Sequence, residues 1–279
     1  VFVFDKGRAG QEASWAGGGI ISPLYPWRYA PSITALATWS QQAFPDLITS
    51  LNESTGIDSE LSTEGMLVTA TDEREKALAW GVGLPPKVIE ISDEDARVLE
   101  PNVQLDEIPL WMPRVSSIRN SRMGRALRQA CLNHPKIQLL EYHEVILSGD
   151  LDSPKVSSQS QHYVGDRVVL AAGAWTGNIF TGVNLSCPIK PMKGQMLLFS
   201  PCYLVNRVVL ANGRYAIPRA DGRIVFGSTL EDVGFERIPD RGAFESLYAS
   251  ALSMMPILEE IPLEAQWAGL RPGSPKGLP

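Results

Sequence analysis

A chain of 279 residues, 44% apolar and 20% charged, is long enough for one large or two ordinary domains and has the make-up of a folded protein, neither disordered nor fibrous. With 31 acidic and 25 basic side chains its net charge is -6, and no basic run interleaved with aromatics offers a phosphate track, which argues against nucleic acid as a partner. No apolar run approaches the roughly 20 residues that span a bilayer and no signal peptide is visible, so no membrane partner and a cytoplasmic location are expected. Cys131, Cys187 and Cys202 are scattered and odd in number, which suits buried thiols in a reducing compartment. With only His134, His143 and His162 besides, no metal site or Ser-His-Asp set is expected.

Residues 1–4 predict a buried strand ending at Asp5, followed by a glycine-punctuated loop over residues 7–19. Ser32 is a candidate cap for a helix whose apolar positions Ile33, Leu36, Ala37, Phe44, Leu47, Ile48 and Leu51 recur every three or four residues. Gly56 lies beyond its end, and Pro45 is expected to kink or split it. A strand over 65–70 is followed by a helix opened by Thr71 and the acids Asp72, Glu73 and Glu75, and Ser92 starts a further short helix. A strand over 108–112, a helix over 121–132 and strands over 137–140 and 145–147 come next, then a polar hairpin or loop over 149–165. Residues 167–173 form the clearest buried strand of all, running into Gly173. Short strands over 195–199, 208–210, 215–217 and 224–226 precede an amphipathic helix over 243–255 and a last strand containing Arg271. The order predicts a mixed α/β (α+β) fold, a parallel Rossmann-like nucleotide-binding layer interleaved with an antiparallel-sheet substrate domain. Residues 1–60 and 120–185 are assigned to the first, 61–119 and 186–265 to the second, and 266–279 to a strand returning to the first.

The chemistry is concentrated in a few places. Arg271 stands in the apolar, glycine-bounded segment Gln266-Trp267-Ala268-Gly269-Leu270-Arg271-Pro272-Gly273. Its planar fork of donors cannot be neutralised and matches a carboxylate, so a small carboxylate substrate is one partner for it. An internal acid, or solvent at a strand end, is another. An acid at a strand end, as at Asp5, is what a dinucleotide-binding fold uses to hold the adenosine ribose, although turn-forming aspartates are also common there. The small residues of the loop over 11–20 allow a ligand close to the backbone, as does the Gly173-Ala174-Trp175-Thr176-Gly177 turn, and both are equally compatible with plain surface turns.

Taken together, these segments resemble the D-amino-acid-oxidase-like family of FAD-dependent oxidoreductases (the glutathione-reductase/DAO fold), and within it most closely the glycine oxidase branch. The resemblance is carried by Val3-Phe4-Asp5-Lys6-Gly7, Glu12-Ala13-Ser14 with Gly17-Gly18-Gly19, Glu64-Gly65-Met66, Leu99-Glu100-Pro101, the run from Val168 through Gly173 to Gly177, Pro191-Met192-Lys193-Gly194-Gln195, and Trp267 to Pro272. It implies FAD as cofactor, with Asp5 and Lys6 at the adenosine ribose, Ala13, Ser14, Gly18, Gly19 and Ile20 along the pyrophosphate and flavin, Val145 at the adenine and Gly173 beside the cofactor. It implies that Arg271 and Tyr215 bind the substrate carboxylate and that Leu230 lines the same pocket. The implied reaction is oxidative deamination of glycine, sarcosine or a small D-amino acid with O2 as acceptor and hydrogen peroxide as product, in the service of thiamine thiazole synthesis, by a homo-oligomer. A D-amino-acid dehydrogenase passing electrons to a quinone, the oxidoreductase module of a tRNA-modifying enzyme, and a non-catalytic remnant are the alternatives. The family's Gly-x-Gly-x-x-Gly loop would precede Val1 and its last flavin loop would follow Pro279, so the sequence reads as truncated at both ends.

Overall fold

The computed structural model describes residues 1–83, 87–149, 154–179 and 187–277. In chain order they form β1 (Phe2–Asp5), α1 (Ala13–Ala16), β2 (Ile20–Ile21), α2 (Pro31–Thr55), β3 (Met66–Ala70), α3 (Arg74–Gly81), β4 (Ile89–Glu90), α4 (Asp93–Leu99), β5 (Leu110–Met112) and β6 (Ser116–Ser117). There follow α5 (Asn120–Asn133), β7 (Gln138–Glu141), β8 (Ile146–Gly149), β9 (Pro154–Ser158), β10 (Gln161–Tyr163), β11 (Lys190–Phe199), β12 (Val208–Ala211), β13 (Arg214–Pro218), β14 (Ile224–Gly227), α6 (Arg241–Met254) and β15 (Leu263–Gly273).

A large sheet in the order β15-β11-β14-β13-β12-β3-β5-β4 organises the molecule, antiparallel at every step except the parallel pair β12 and β3. Its strands alternate between two cores, as a period of two requires. Leu197, Phe199, Val209, Ala216, Ile224 and Phe226 point to one side, where Leu247, Ala251 and Met254 of α6 cover them. Asp240 caps that helix by accepting from the Ala243 amide at 2.9 Å. Met196, Leu210, Tyr215, Ile217 and Val225 point to the other side, toward Tyr25 and the half-buried Trp267. β1 and β7 form a separate two-stranded parallel sheet, and β8, β9 and β10 a three-stranded antiparallel one that realises the hairpin expected near residues 149–165. Residues 150–153 of that stretch lie outside the described residues.

Several expectations need correction. Residues 167–172 are not a strand: Val169 is 88% exposed and Leu170 is exposed too. β1 and β7 pair only with each other, and no described strand lies beside 167–172, so the apolar run gains neither ladder hydrogen bonds nor a covered face. Val1 and Phe2 are exposed at the start of β1, whose Phe4 is covered by the edge of the Tyr163 ring at 4.8 Å. Helix α2 begins at Pro31 with Ala30 in the cap position and no side-chain cap, so Ser32 lies inside it, and the helix runs past Pro45 without dividing. Its end is as expected, with Gly56 left-handed at φ 68° and its amide bonded to Asn52 O. The cysteines are free but half-buried. Segment 266–273 pairs along β11 from Gln266↔Leu197 to Gly273↔Lys190 and is the edge of the large sheet.

Candidate active site

Cross-strand register assembles one side of the site. Partners opposite one another share a face of the sheet, so Trp267, Met196, Gly227 and Tyr215, joined by the pairs Trp267↔Met196, Met196↔Gly227 and Gly227↔Tyr215, stand in a row across four strands. Arg271 and Gly194 lie on the same face, two positions or more along β15 and β11. A Cβ on Gly194 would run into the Arg271 guanidinium, so the missing side chain is what lets the arginine lie across β11. The guanidinium donates to Thr229 O at 3.1 Å and Ser228 Oγ at 2.8 Å. Among the described residues no carboxylate pairs with it, which leaves its charge held by two neutral acceptors. Among the described residues the Tyr215 hydroxyl bonds only a soft acceptor, Met196 Sδ at 3.5 Å, and so keeps its donor capacity for a better one. Leu230 follows the Arg271-binding residues directly but is 69% exposed.

Small residues from the other end of the chain face this row. Trp267 Nε1 donates to Ala16 O at 3.0 Å, and Trp15 packs edge-on against the Trp267 ring. Gly18 is in contact with Ile217 and Tyr215, and Gly19, left-handed at φ 86°, lies against Ile118 O and Asn120. Asp5 and Lys6, at the end of β1, also come to this region. Asp5 Oδ1 accepts from the Gly7 amide at 2.8 Å, and the Lys6 ammonium stacks on the Trp175 ring at 3.5 Å, just past Gly173. His143 N donates to Asp5 O at 2.9 Å, which draws the loop carrying the half-buried Val145 to the same strand end. Burial lowers the Lys6 pKa below the ordinary lysine value. The two strand-end elements and the arginine strand, distant in sequence, are thus brought together.

A polar network ties the 228–240 connection down at both ends. Lys193 is buried on β11, with its ammonium 3.7 Å from Glu231 and 3.3 Å from Asp240, while Gln195 donates to Glu231 at 2.9 Å and also bonds Asp240. The capping bond to the Ala243 amide, first, and the Gln195 and Lys193 donors hold the Asp240 carboxyl at about 2. Between its ends the connection crosses to the loop after β1 and the turn after Gly173, where Arg237 pairs with Glu12 at 2.9 Å and Phe235 packs on Trp175. Sequence reading gives no role to Lys193, Met196, Asn120 or Arg219, which also lie in this region, although Lys193 stands in the Pro191-to-Gln195 segment that carries the resemblance and Arg219 follows Tyr215 and Ile217 at period-two spacing.

Asn120 tests whether these residues suit a flavin dinucleotide. Its Oδ1 is buried beside Gly19 with no hydrogen-bond partner among the described residues, at a cost of about 1–3 kcal/mol until a donor reaches it. An orphaned acceptor at the start of α5, facing a loop of small residues, fits a ligand with hydroxyl or ring N–H donors, as the ribityl and flavin parts of FAD have.

Residues 1–279 match the family described as "DAO: FAD dependent oxidoreductase", and the chain belongs to it. Its likeness within that family is to amino-acid oxidases. It is 43% identical over 284 residues to the glycine oxidase of Pseudomonas aeruginosa, covering 100% of this chain and 78% of that protein. It is 27% identical over 289 residues to the glycine oxidase of Geobacillus kaustophilus, covering 100% of this chain and 76% of that protein. The crystal structure of glycine oxidase from Geobacillus kaustophilus superposes with a TM-score of 0.91 at 28% identity, over 100% of this chain and 78% of that one. The chain is therefore an FAD-dependent amino-acid oxidase by family.

Proposed function

We propose that this chain oxidises glycine or a similarly small amino acid or secondary amine at the site built on Arg271. The supporting observation is that Arg271 is fixed by Thr229 O and Ser228 Oγ and has no carboxylate partner among the described residues. A substrate carboxylate would supply the missing countercharge through charge-assisted bonds, and the unspent hydroxyl of Tyr215 would add a further donor. Glycine has no side chain to accommodate, which suits a site walled by Met196, Tyr215 and the Trp267 indole.

Asp5 and Lys6 would hold the ribose end of FAD, Ala13, Ser14, Gly18, Gly19 and Ile20 its pyrophosphate and flavin, Val145 the adenine, and Gly173 would border it. When bound, the flavin supplies the acceptor for the hydride leaving the substrate α-carbon. The protein's part is then to orient. Arg271 and Tyr215 fix the carboxylate, and that positioning lowers the barrier without an acid or base on the protein. With O2 as final acceptor the balance is glycine, water and O2 to glyoxylate, ammonia and hydrogen peroxide. A relative at 26% identity carries the name bifunctional protein ThiO/ThiG in Synechocystis, which supports a role in supplying thiamine thiazole synthesis.

Arg271→Ala tests the reading. Losing the charged partner of the carboxylate costs about 2–5 kcal/mol, or roughly 30- to 5,000-fold in kcat/KM for glycine, with FAD content unchanged. Wild-type kcat/KM in that variant removes the carboxylate role. Peroxide release in air separates the oxidase from a quinone-dependent dehydrogenase.

A further inference from the structure

Arg219 has no place in the chemistry described so far, and its surroundings are unusual for an arginine. Its guanidinium touches no carboxylate among the described residues. It donates Nη1 to Ile118 O at 2.8 Å and Nη2 to Gly18 O at 2.9 Å. The neighbouring acids are occupied elsewhere. Glu60 takes Arg119 at 3.1 Å and Arg122 at 2.6 Å, while Asp221 takes Arg119 at 2.8 Å and Arg223 at 2.9 Å. Burial, the largest influence on it, draws the Arg219 pKa down to about 10, so it stays charged at neutral pH. A part-buried cation spent on two backbone carbonyls is costly unless the position of those carbonyls matters.

The strand shows which position is being held. Tyr215, Ile217 and Arg219 are spaced two apart, so they share one face as β13 runs out past Pro218. A Cβ on Gly18 would lie 2.6 Å from Ile217 Cδ1 and 3.1 Å from Tyr215 Cε2, so both side chains already touch the Gly18 α-carbon region, and Arg219 grips the carbonyl of the same residue. Its second bond holds Ile118, whose own amide donates to Gly19 O at 2.9 Å, so the fork spans both sides of the loop just before β2 and β6 pair.

We propose that Arg219 is a positioning residue that locks the Gly18–Gly19 peptides to the strand carrying Tyr215, so that the flavin-lining loop and the carboxylate clamp are set from one element. The inference rests on the reading of Tyr215 and Arg271 as the carboxylate site and of Gly18–Ile20 as the flavin-lining loop. A planar fork can bridge two carbonyls facing different directions; an ammonium serves one of them well. Freed from the fork, the loop would shift relative to Tyr215, moving the cofactor against the substrate while leaving Arg271 intact.

The test compares the FAD-loaded wild type with Arg219→Met and Arg219→Lys. FAD dissociation constants come from flavin fluorescence titration, the flavin absorbance spectrum reports its environment, and kcat and KM are measured with glycine. Arg219→Met is expected to weaken FAD binding at least tenfold, shift the flavin band and lower kcat at least tenfold with KM within threefold, and Arg219→Lys to recover part of each. A variant with a lowered melting temperature but wild-type FAD affinity, spectrum and kcat overturns the proposal, since the arginine would then only support the fold. If Arg219→Met does not fold, Arg219→Lys decides alone, and wild-type values for all three readouts in it count against the proposal. Arg271→Ala run alongside keeps the two ideas apart: an unaffected Arg271 variant removes the carboxylate reading, whereas the flavin affinity of the Arg219 variants judges the loop lock by itself.

Discussion

One methyl group on Gly18 probes the packing on which the site depends. The Cβ of Gly18→Ala would stand 2.6 Å from Ile217 Cδ1, 3.1 Å from Tyr215 Cε2 and 3.5 Å from Met196 Cε. Carbon atoms prefer about 3.5–4.0 Å, so the clash with Ile217 is about 1 Å deep and that with Tyr215 a few tenths. Ile217 is fully buried between β12 and β14 and cannot withdraw, which leaves the loop to move away from β13 and Tyr215 to tilt. Overpacking of this kind costs about 1–3 kcal/mol of stability, and a misplacement near 1 Å costs about 100-fold in rate. Ile217→Val removes the δ-carbon responsible for the deepest overlap, for about 0.5–1.5 kcal/mol of stability on its own. The double variant should therefore regain at least about tenfold in kcat/KM for glycine over Gly18→Ala, a coupling near 1.4 kcal/mol. The assay is steady-state turnover on a complete cycle of four proteins, with flavin content and melting temperature as controls. Simple additivity of the two single changes, within about 0.5 kcal/mol, would show that Gly18 and Ile217 do not meet as described.

Three further outcomes follow from the same geometry. Gly194→Ala should displace the Arg271 guanidinium without removing it, raising KM for glycine roughly tenfold or more while the fold and flavin content stay normal, and an unchanged KM counts against Arg271 lying over β11. Tyr215→Phe should raise KM for glycine roughly tenfold, the worth of one hydrogen bond to a charged group, and unaltered substrate saturation would exclude the hydroxyl from carboxylate binding. Glu100 is buried, accepts from the Asn206 and Arg207 amides at 3.0 and 2.9 Å, and is pushed by burial from 4.5 to about 7. Because the folded value lies above the unfolded one, its contribution is complete below about pH 4.5 and is lost as pH rises through 7. Denaturation midpoints measured from pH 5 to 8 should fall with that slope, and Glu100→Gln should flatten it. A slope that persists in Glu100→Gln assigns the effect to another group.

Local signals in this chain were legible wherever the physics is local. Ser92 caps α4 by accepting from the Asp95 amide, Gly56 ends α2 in the left-handed region, and Met66–Ala70, read as a strand, is buried throughout. The family resemblance was legible too, because its segments keep their residues and order over the whole chain, and it supplied FAD and the amino-acid substrate class. Residues 167–172 show where such reading stops: an apolar run states that a face could be buried, and only a neighbouring strand can bury it. Pro31 likewise displaced Ser32 from the cap, since a proline at the first helical position fixes the start two residues earlier.

The sequence by itself determined the class of chemistry, the alternating faces of β13 and the presence of an arginine whose charge needed an answer. Whether that answer was an internal acid was beyond it, because the acids of the chain could have folded against Arg271 from any distance. The tertiary structure decided the matter through register: the alignment of β15 on β11 sets Arg271 over Gly194 and beside Ser228 and Thr229, with no described carboxylate in reach. The bond from Arg219 to Gly18 O joins positions 201 residues apart and came from the same source. Periodicity and capping are written in neighbouring residues, whereas the partner of a charge is chosen by the packing of the whole chain.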